Sequence, residues 1–502
     1  MNDLIARMLP LLASHVTLAA AALLLGLIIA LPLGVFAARH ARFGRIALGV
    51  ASVIQTIPSL ALLALFYPLL LALSAVLPVR ALGFLPSLLA LALYAVLPVL
   101  RNTVTGLNGI DPAVREAADG IGMTPAQKLW RVEAPLALPS VMGGVRTAAV
   151  WTIGAATLST TVGQPSLGDI IFSGLQTQTW ALVLTGCIAA AALALTVDAL
   201  LALAQKGLSA RRRMLWIAPL ALAVGIPLAL ALAPAPPPTI TIGAKNFAEQ
   251  YILARVIGAR LGAAGYRVRY TENLGSAVIF AALRQGDVDV YVEYSGTLWT
   301  NEMRRGDVLL RPTMNASIGQ WAQGRGVTSL GSLGFENAYA LAMPGSKARA
   351  LGIATLADLG RAAPQLTLGG DLEFLDRPEW AAIRTAYGLE FAQTRAFSPT
   401  FMYAALKSGD ADVISAFSSD GRIAADGLVV LADPKNAIPG YDALLLVGSE
   451  AARDARLVAA LRPLVGAVAV EDMRRANLMV DGEKRAPEDA AKWLDSRIAR
   501  RP

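Results

Sequence analysis

Six apolar runs dominate the first half of this chain, at residues 16–38, about 46–73, 83–100, 141–158, 181–204 and 214–233. Each is long enough, or nearly so, to cross about 30 Å of hydrocarbon as a helix. In lipid a spanning segment must satisfy its own backbone, which leaves a bundle of helices as the expected fold. Pro32, Pro58 and Pro98 fall inside these runs, and neighbouring helices can re-satisfy the carbonyls they free. At 55% hydrophobic residues over 502 positions the chain is too apolar for a wholly soluble protein, yet long enough for two or three domains.

The net charge of +8 is uneven. Up to Arg213 there are 14 Lys and Arg against 7 Asp and Glu; from Met214 onward there are 30 against 29. The basic excess sits between apolar runs, so it reads as topology-setting loop charge and not as a nucleic-acid surface. Arg39, Arg42 and Arg45 follow the first run; Arg101, Arg115, Lys128 and Arg131 follow the third; Lys206, Arg211, Arg212 and Arg213 follow the fifth. The alternate loops hold little beyond Arg80. By the positive-inside tendency the first set is cytoplasmic, with the N-terminus and everything after Ala233 outside. The first run has a thin charged flank, Arg7 alone, and five runs follow it, so it reads as an uncleaved helix. The sixth, with Arg211–Arg213 before it and ALAPAPPP after it, reads as a former secretory signal that now anchors, or is cleaved after Ala233 or Ala235. The prolines from Pro234 to Pro238 make a stiff spacer.

Between the third and fourth runs lies a polar island, EAADGIGMTPAQKLWRVEAP, from Glu116 to Pro135. Glu116-Ala117-Ala118, then Gly122, then Val132-Glu133-Ala134-Pro135 resembles the coupling loop of bacterial ABC-importer permeases. That loop is a glycine-centred pair of short helices that docks on an ATPase subunit. Val132 is a conservative departure from the family pattern and Ala134 a real one. The resemblance implies ATPase-coupling roles for Glu116, Ala117, Ala118, Gly122 and Pro135, a permease that works as a dimer, and a separate ATPase partner. No G-x-x-x-x-G-K-[ST] phosphate loop occurs, so the chain is not itself the ATPase or, on this reading, an enzyme. The loop TTVGQPSLGDIIFSGLQTQTW between the fourth and fifth runs is too polar to span; it either dips into the outer rim or lies on the surface.

From Thr239 the pattern changes. TITIGA, YRVRYTENL and VDVYVEY alternate with helical stretches at Glu249–Leu261 and Ala277–Arg284, an order that predicts an α/β lobe with a mostly parallel sheet. AYALAMP, LTLGG and ADVISAF, with helices at Pro378–Tyr387 and Thr400–Ser408, predict a second, and YDALLLV returns to close the chain. Two lobes make a cleft, the usual place for a ligand. This half contains neither His nor Cys, so it offers no histidine- or thiol-based metal site or catalyst. The lone Cys187 excludes an intrachain disulfide.

IGAKNFAEQYIL, VYVEYSGTLW, LGFENAYAL, FLDRPEW, SAFSSDGRI and IPGYDAL occur in that order between residues 242 and 444. Together they resemble the binding proteins for glycine betaine, choline and related quaternary-ammonium osmoprotectants, of which permease fusions exist. The resemblance implies an all-α polytopic permease of about six spans (1–210), a sixth span and linker (211–238), and a two-lobed α/β binding-protein domain of type II (239–502). Lobe I would be about 239–335 with 440–502, and lobe II about 336–439. It also implies a multi-pass protein of a bacterial inner membrane, surrounded by lipid, with the C-terminal domain in the periplasm. A quaternary ammonium has no N–H to donate, so what holds it is aromatic faces. By resemblance these are Tyr294, Tyr339 and Tyr441, with Phe417 where the family has a fourth tyrosine. Arg377 matches a carboxylate-binding arginine, and Lys245 and Thr297 match polar residues that complete the pocket. Ala244 and Ala248 depart from the Ser and Thr usual in the family. The plain alternatives are core packing for the rings, an ion pair with Asp376 or Glu379 for Arg377, and a solvated loop for Lys245. Tyr403 and Trp299 read as core, and the acids at Asp287–Glu293 and Asp410–Asp412 as strand-edge or turn residues. No cofactor or metal is expected. Ergothioneine on the same scaffold, or a membrane-anchored receptor that transports nothing, are the other readings.

Overall fold

The computed structural model describes residues 2–73, 76–77, 81–176, 179–210, 239–307 and 309–500, with isolated positions between 217 and 229. The sixth apolar run, its preceding arginines, the proline run 234–238 and Arg80 lie almost wholly outside the described residues. Two compact units are present: Met1–Ile171 with Leu182–Ala235, and Phe172–Ala181 with Pro236–Pro502.

Among the described residues the first unit has four helices long and apolar enough to span: Met8–Arg39, Phe84–Asn108, Pro125–Val162 and Trp180–Leu208. The run at 46–73 differs from expectation. It is a pair of helices, Ala41–Thr56 and Ser59–Leu73, bent by 98°. The reason is Pro58, whose ring disfavours helical backbone at Ile57; Ile57 is extended there, and its carbonyl accepts from the Tyr94 hydroxyl. Pro32 and Pro98, by contrast, stay within continuous helices.

Small residues let these helices approach closely. A Cβ on Gly26 would lie 2.7 Å from the Ala95 Cβ, and one on Gly144 would lie 2.7 Å from the Pro98 carbonyl. The loop after the fourth run is not a plain surface loop. The amide of Leu167 donates to His15 Nδ1 (3.3 Å), so Nε2–H donates to the Ile153 carbonyl (3.0 Å). Ser14 donates to the Pro165 carbonyl at 2.7 Å and accepts from Gln164 at 2.8 Å. The loop is thereby pinned to the first helix.

The second unit holds two five-stranded sheets. One has the order β2-β1-β3-β10-β4, from β1 (Ile240–Lys245), β2 (Val268–Leu274), β3 (Val290–Tyr294), β4 (Val327–Glu336) and β10 (Asp442–Gly448). The other has the order β7-β6-β8-β5-β9, from β5 (Tyr339–Pro344), β6 (Thr367–Gly370), β7 (Gln393–Ala396), β8 (Val413–Phe417) and β9 (Leu428–Val430). Each sheet is mixed, which corrects the mostly parallel expectation. In the first, β1 pairs in parallel with β2 and β3, while β10 is antiparallel to β3 and β4. The second repeats this with β6 and β5. The cause is the crossing: the chain leaves one sheet along β4 and re-enters it along β10, so the two crossing strands meet head to tail. Every residue of β10, DALLLVG, is buried, as a continuous apolar run in a central strand demands.

Candidate functional site

The two crossings bring strand ends together, and the expected ring residues sit on those ends. Tyr294 ends β3, Tyr339 begins β5, Phe417 ends β8, and Tyr441 directly precedes β10. Tyr339 and Phe417 are direct partners across the β5–β8 ladder, so their rings share one face. Tyr339 lies 4.9 Å from Phe417, 5.7 Å from Tyr441 at an interplanar angle of 89°, and 5.2 Å from Phe374. Tyr294 joins through Phe247, whose ring is 6.1 Å from Tyr294 and 6.0 Å from Phe417.

Arg377 occupies the junction between two helices. Asp371 caps the first, Leu372–Asp376, by accepting from the Phe374 amide at 2.9 Å. The second, Pro378–Tyr387, starts at a proline, which keeps Arg377 extended. Its guanidinium is buried and fully engaged. Nε donates to Glu379 Oε2 at 3.2 Å, Nη1 to Glu373 Oε1 at 2.6 Å, and Nη2 to Glu379 Oε1 at 3.3 Å. Nη2 also faces the Tyr441 hydroxyl at 3.4 Å and Thr297 Oγ1 at 3.5 Å, and the guanidinium carbon stands 5.0 Å from the Tyr339 ring centre. Its carboxylate partners are thus Glu373 and Glu379, and not Asp376.

Lys245 is no solvated loop lysine. It ends β1, is buried, and donates to Glu293 Oε1, with Nζ 5.4 Å from the Tyr294 ring centre. Glu293 in turn is not a strand-edge acid: it is buried and also accepts from the Tyr291 hydroxyl (3.2 Å) and the Tyr294 amide (2.8 Å). Trp299 and Tyr403 are buried, Trp299 donating to the Asp307 carbonyl at 2.8 Å. Asp412 accepts from Lys347 and from the Thr367 amide (2.7 Å), a turn role.

Sequence reasoning missed the buried acid Glu249, the ring of Phe247, and the full burial of Glu379, which it named only as an ion-pair partner of Arg377. Glu249 accepts from the Tyr294 hydroxyl (2.6 Å), Asn337 (2.9 Å) and Asn477 (2.8 Å). Burial pushes its carboxyl upward, and hydrogen bonds from Ser419, Tyr294, Asn477 and Asn337 offset this only in part. Glu379 accepts from Thr300 (2.8 Å), Tyr441 and Arg377. Burial works to raise it as well, but the Arg377 charge and these hydrogen bonds outweigh burial and hold it below the usual carboxylate value. All three residues lie inside stretches that carry the resemblance; what the sequence lacks is any sign of partners dozens of positions away.

The expected seven residues therefore form one connected set. It offers aromatic faces already bearing protein cations, an ionised arginine, and buried acids behind the tyrosine hydroxyls. The cavity beside Phe247, Phe417 and Glu249 measures only about 50 Å³.

In the first unit, the island forms a helix at Pro112–Gly120, capped by Asp111, and a turn at Pro125–Lys128 with a Thr124–Gln127 capping box. Gly122 links them at φ +74°, a left-handed conformation that favours glycine. Glu116 and Ala117 are exposed, Ala118 is buried, and Ile121 and Trp130 project into solvent. Pro135 lies in the first turn of the regular α-helix Ala134–Ala156, inside the longer span Pro125–Val162. Glu133, buried at its base, pairs with Arg39 and Arg115, each at 3.3 Å.

A family model for the substrate-binding domain of ABC-type glycine betaine transport systems matches residues 238–496. A second, for the inner-membrane component of binding-protein-dependent transport systems, matches residues 30–214. The ergothioneine transport permease/ergothioneine binding protein of Helicobacter pylori (strain G27) is 28% identical over 485 residues, 93% of this chain and 86% of that protein. The choline transport system permease protein of Bacillus subtilis (strain 168) is 40% identical over 195 residues, 39% of this chain and 85% of that protein. Among solved structures, a glycine betaine/carnitine/choline ABC transporter is 26% identical with a TM-score of 0.45, covering 50% of this chain and 96% of that one. The chain belongs to the substrate-binding family of ABC-type glycine betaine transport systems, fused to an inner-membrane permease domain, and is a multi-pass permease and binding subunit of such an importer.

Proposed function

We propose that residues 239–502 capture a quaternary ammonium compound between the two sheets and that the membrane unit passes it inward. The observation that carries this reading is the convergence of Tyr339, Tyr441 and Phe417 around a buried arginine, with Tyr294 joined through Phe247. Each cation–π contact is worth about 0.5–2 kcal/mol, so several rings supply much of the roughly 8 kcal/mol that micromolar binding needs. Tyr294, Tyr339, Tyr441 and Phe417 face the methyl groups. Thr297 and Arg377 take the polar end, and Lys245 acts through Glu293 beneath Tyr294.

Transport needs an ATPase that this chain lacks, since no phosphate-loop motif is present and its two matched domains are transporter components. Glu116, Ala117, Ala118, Gly122 and Pro135 form the docking element for that partner, and exposed Ile121 and Trp130 give it apolar contacts. The membrane unit works as a homodimer in the bacterial inner membrane, in contact with lipid and with no nucleic-acid role. Arginine-rich loops keep the island cytoplasmic and put the binding domain in the periplasm, after a membrane span and linker at 211–238. Lobe I comprises about 239–335 and 440–502, lobe II about 336–439. Ergothioneine, itself a betaine, is the second reading, favoured by the 93% coverage of this chain by a relative that carries that name. Proteoliposomes holding the chain and a family ATPase test the proposal. ATP-dependent accumulation of labelled choline, glycine betaine or ergothioneine is expected; accumulation of none of them refutes it.

A further inference from the structure

The guanidinium of Arg377 is held differently on its two sides. Glu379, whose side chain is 0% exposed, takes Nε and Nη2. The Nη1 side is taken by Glu373, whose side chain is 50% exposed, at 2.6 Å. Glu373 rides on the five-residue helix Leu372–Asp376, four positions before Arg377. A ligand carboxylate that pairs with Arg377 needs an edge of the guanidinium, and a fork of this kind binds one planar carboxylate per edge. Glu379 is locked by Thr300 and Tyr441, whereas Glu373 has no hydrogen-bond partner among the described residues beyond Arg377. Two carboxylates on one guanidinium also leave the ring cluster with a net negative charge there, since Lys245 is balanced by Glu293.

We infer that Glu373 is an internal stand-in for a ligand carboxylate: it selects against zwitterionic betaines and in favour of quaternary ammonium cations that lack a carboxylate. The inference rests on the cage reading above and names the class of ligand that the cage prefers. A cation without a carboxylate meets a site that is already charge-complementary. A betaine must first displace Glu373 from Nη1, and discrimination of this kind is a difference between two affinities. Displacement costs little, because a half-exposed ion pair is weak; removing it should change affinity by about two- to fivefold.

The test uses the full chain in detergent, titrated calorimetrically with choline and with glycine betaine, as wild type, Glu373→Gln and Glu373→Ala. The exposed position makes both variants foldable. Glycine betaine is expected to bind about two- to fivefold more tightly in both variants while choline binds more weakly. Parallel shifts for the two ligands, or no shift for either, overturn the inference and leave the cage standing. If the wild type binds neither ligand but binds ergothioneine, a betaine, the inference falls and the cage stands; if it binds none of the three, both fall.

Discussion

Two carboxylates grip one buried guanidinium, and burial decides how differently they matter. Glu379→Ala removes an acid with no solvent exposure and leaves Arg377, 4% exposed, with a single carboxylate partner. Breaking a buried pair from one side costs about 3–5 kcal/mol, because the remaining charge stays desolvated. Glu373 retains part of that compensation, so a cost of about 3 kcal/mol is expected, a fall in Tm of about 6–12 °C for a domain of this size. Glu373→Ala removes a half-exposed pair and should cost about 1 kcal/mol or less. Denaturant and thermal unfolding of residues 239–502, a segment with its own core, measure both. The pH dependence carries a sign. Glu379 titrates below its unfolded value, so its contribution is present above that value and is lost as the pH falls through the folded one. The gap between wild type and Glu379→Ala should therefore close at acidic pH, below about 4.3. Equal costs for the two substitutions, or a cost under about 1 kcal/mol for Glu379→Ala, would refute the argument from burial.

Tyr339→Leu keeps apolar bulk and removes the π face shared with Phe417 and Tyr441; choline affinity should fall about tenfold with the fold intact, as calorimetry and circular dichroism would report. Gly122→Val forces a β-branched residue to φ +74°, at about 1–2 kcal/mol of local strain. Ligand binding should survive it and ATP-driven uptake should not; normal uptake would remove the island from the coupling role. Glu249 has the opposite sign to Glu379. Its folded value is raised, so the domain should lose stability as the pH climbs from about 4.3 through that value, and Glu249→Gln should flatten the decline seen in wild-type unfolding curves.

Much of the architecture is written in local pattern. YDALLLV reads as a returning segment and forms the central strand β10, and IGAKNFAEQYIL opens on a strand and continues into a helix, as found. The glycine at 122 announced its turn because few other residues tolerate that backbone. What stayed hidden depended on contacts distant in sequence. Glu293 looked like a strand-edge acid because Lys245, its partner, is 48 positions earlier. Glu379 reads from sequence as a partner of Arg377, two positions away, as found, but nothing local tells that Tyr441, 62 positions on, donates to it. Pro58 looked like Pro32 and Pro98, yet only Pro58 breaks its span, in a bend whose Ile57 carbonyl finds the hydroxyl of Tyr94. The mixed sheets were misread because strand direction depends on where the chain crosses between lobes, which hydrophobic period does not encode.

The most direct test of the cage compares choline with 3,3-dimethylbutan-1-ol, its uncharged carbon isostere, by calorimetric titration of the full chain. The two share shape and apolar surface and differ only in the positive charge. If the rings act through cation–π attraction, choline binds at micromolar concentration and the isostere binds at least about tenfold more weakly. Equal binding of the two would make the cluster an ordinary apolar pocket, and binding of neither would remove choline from the ligands of the cage.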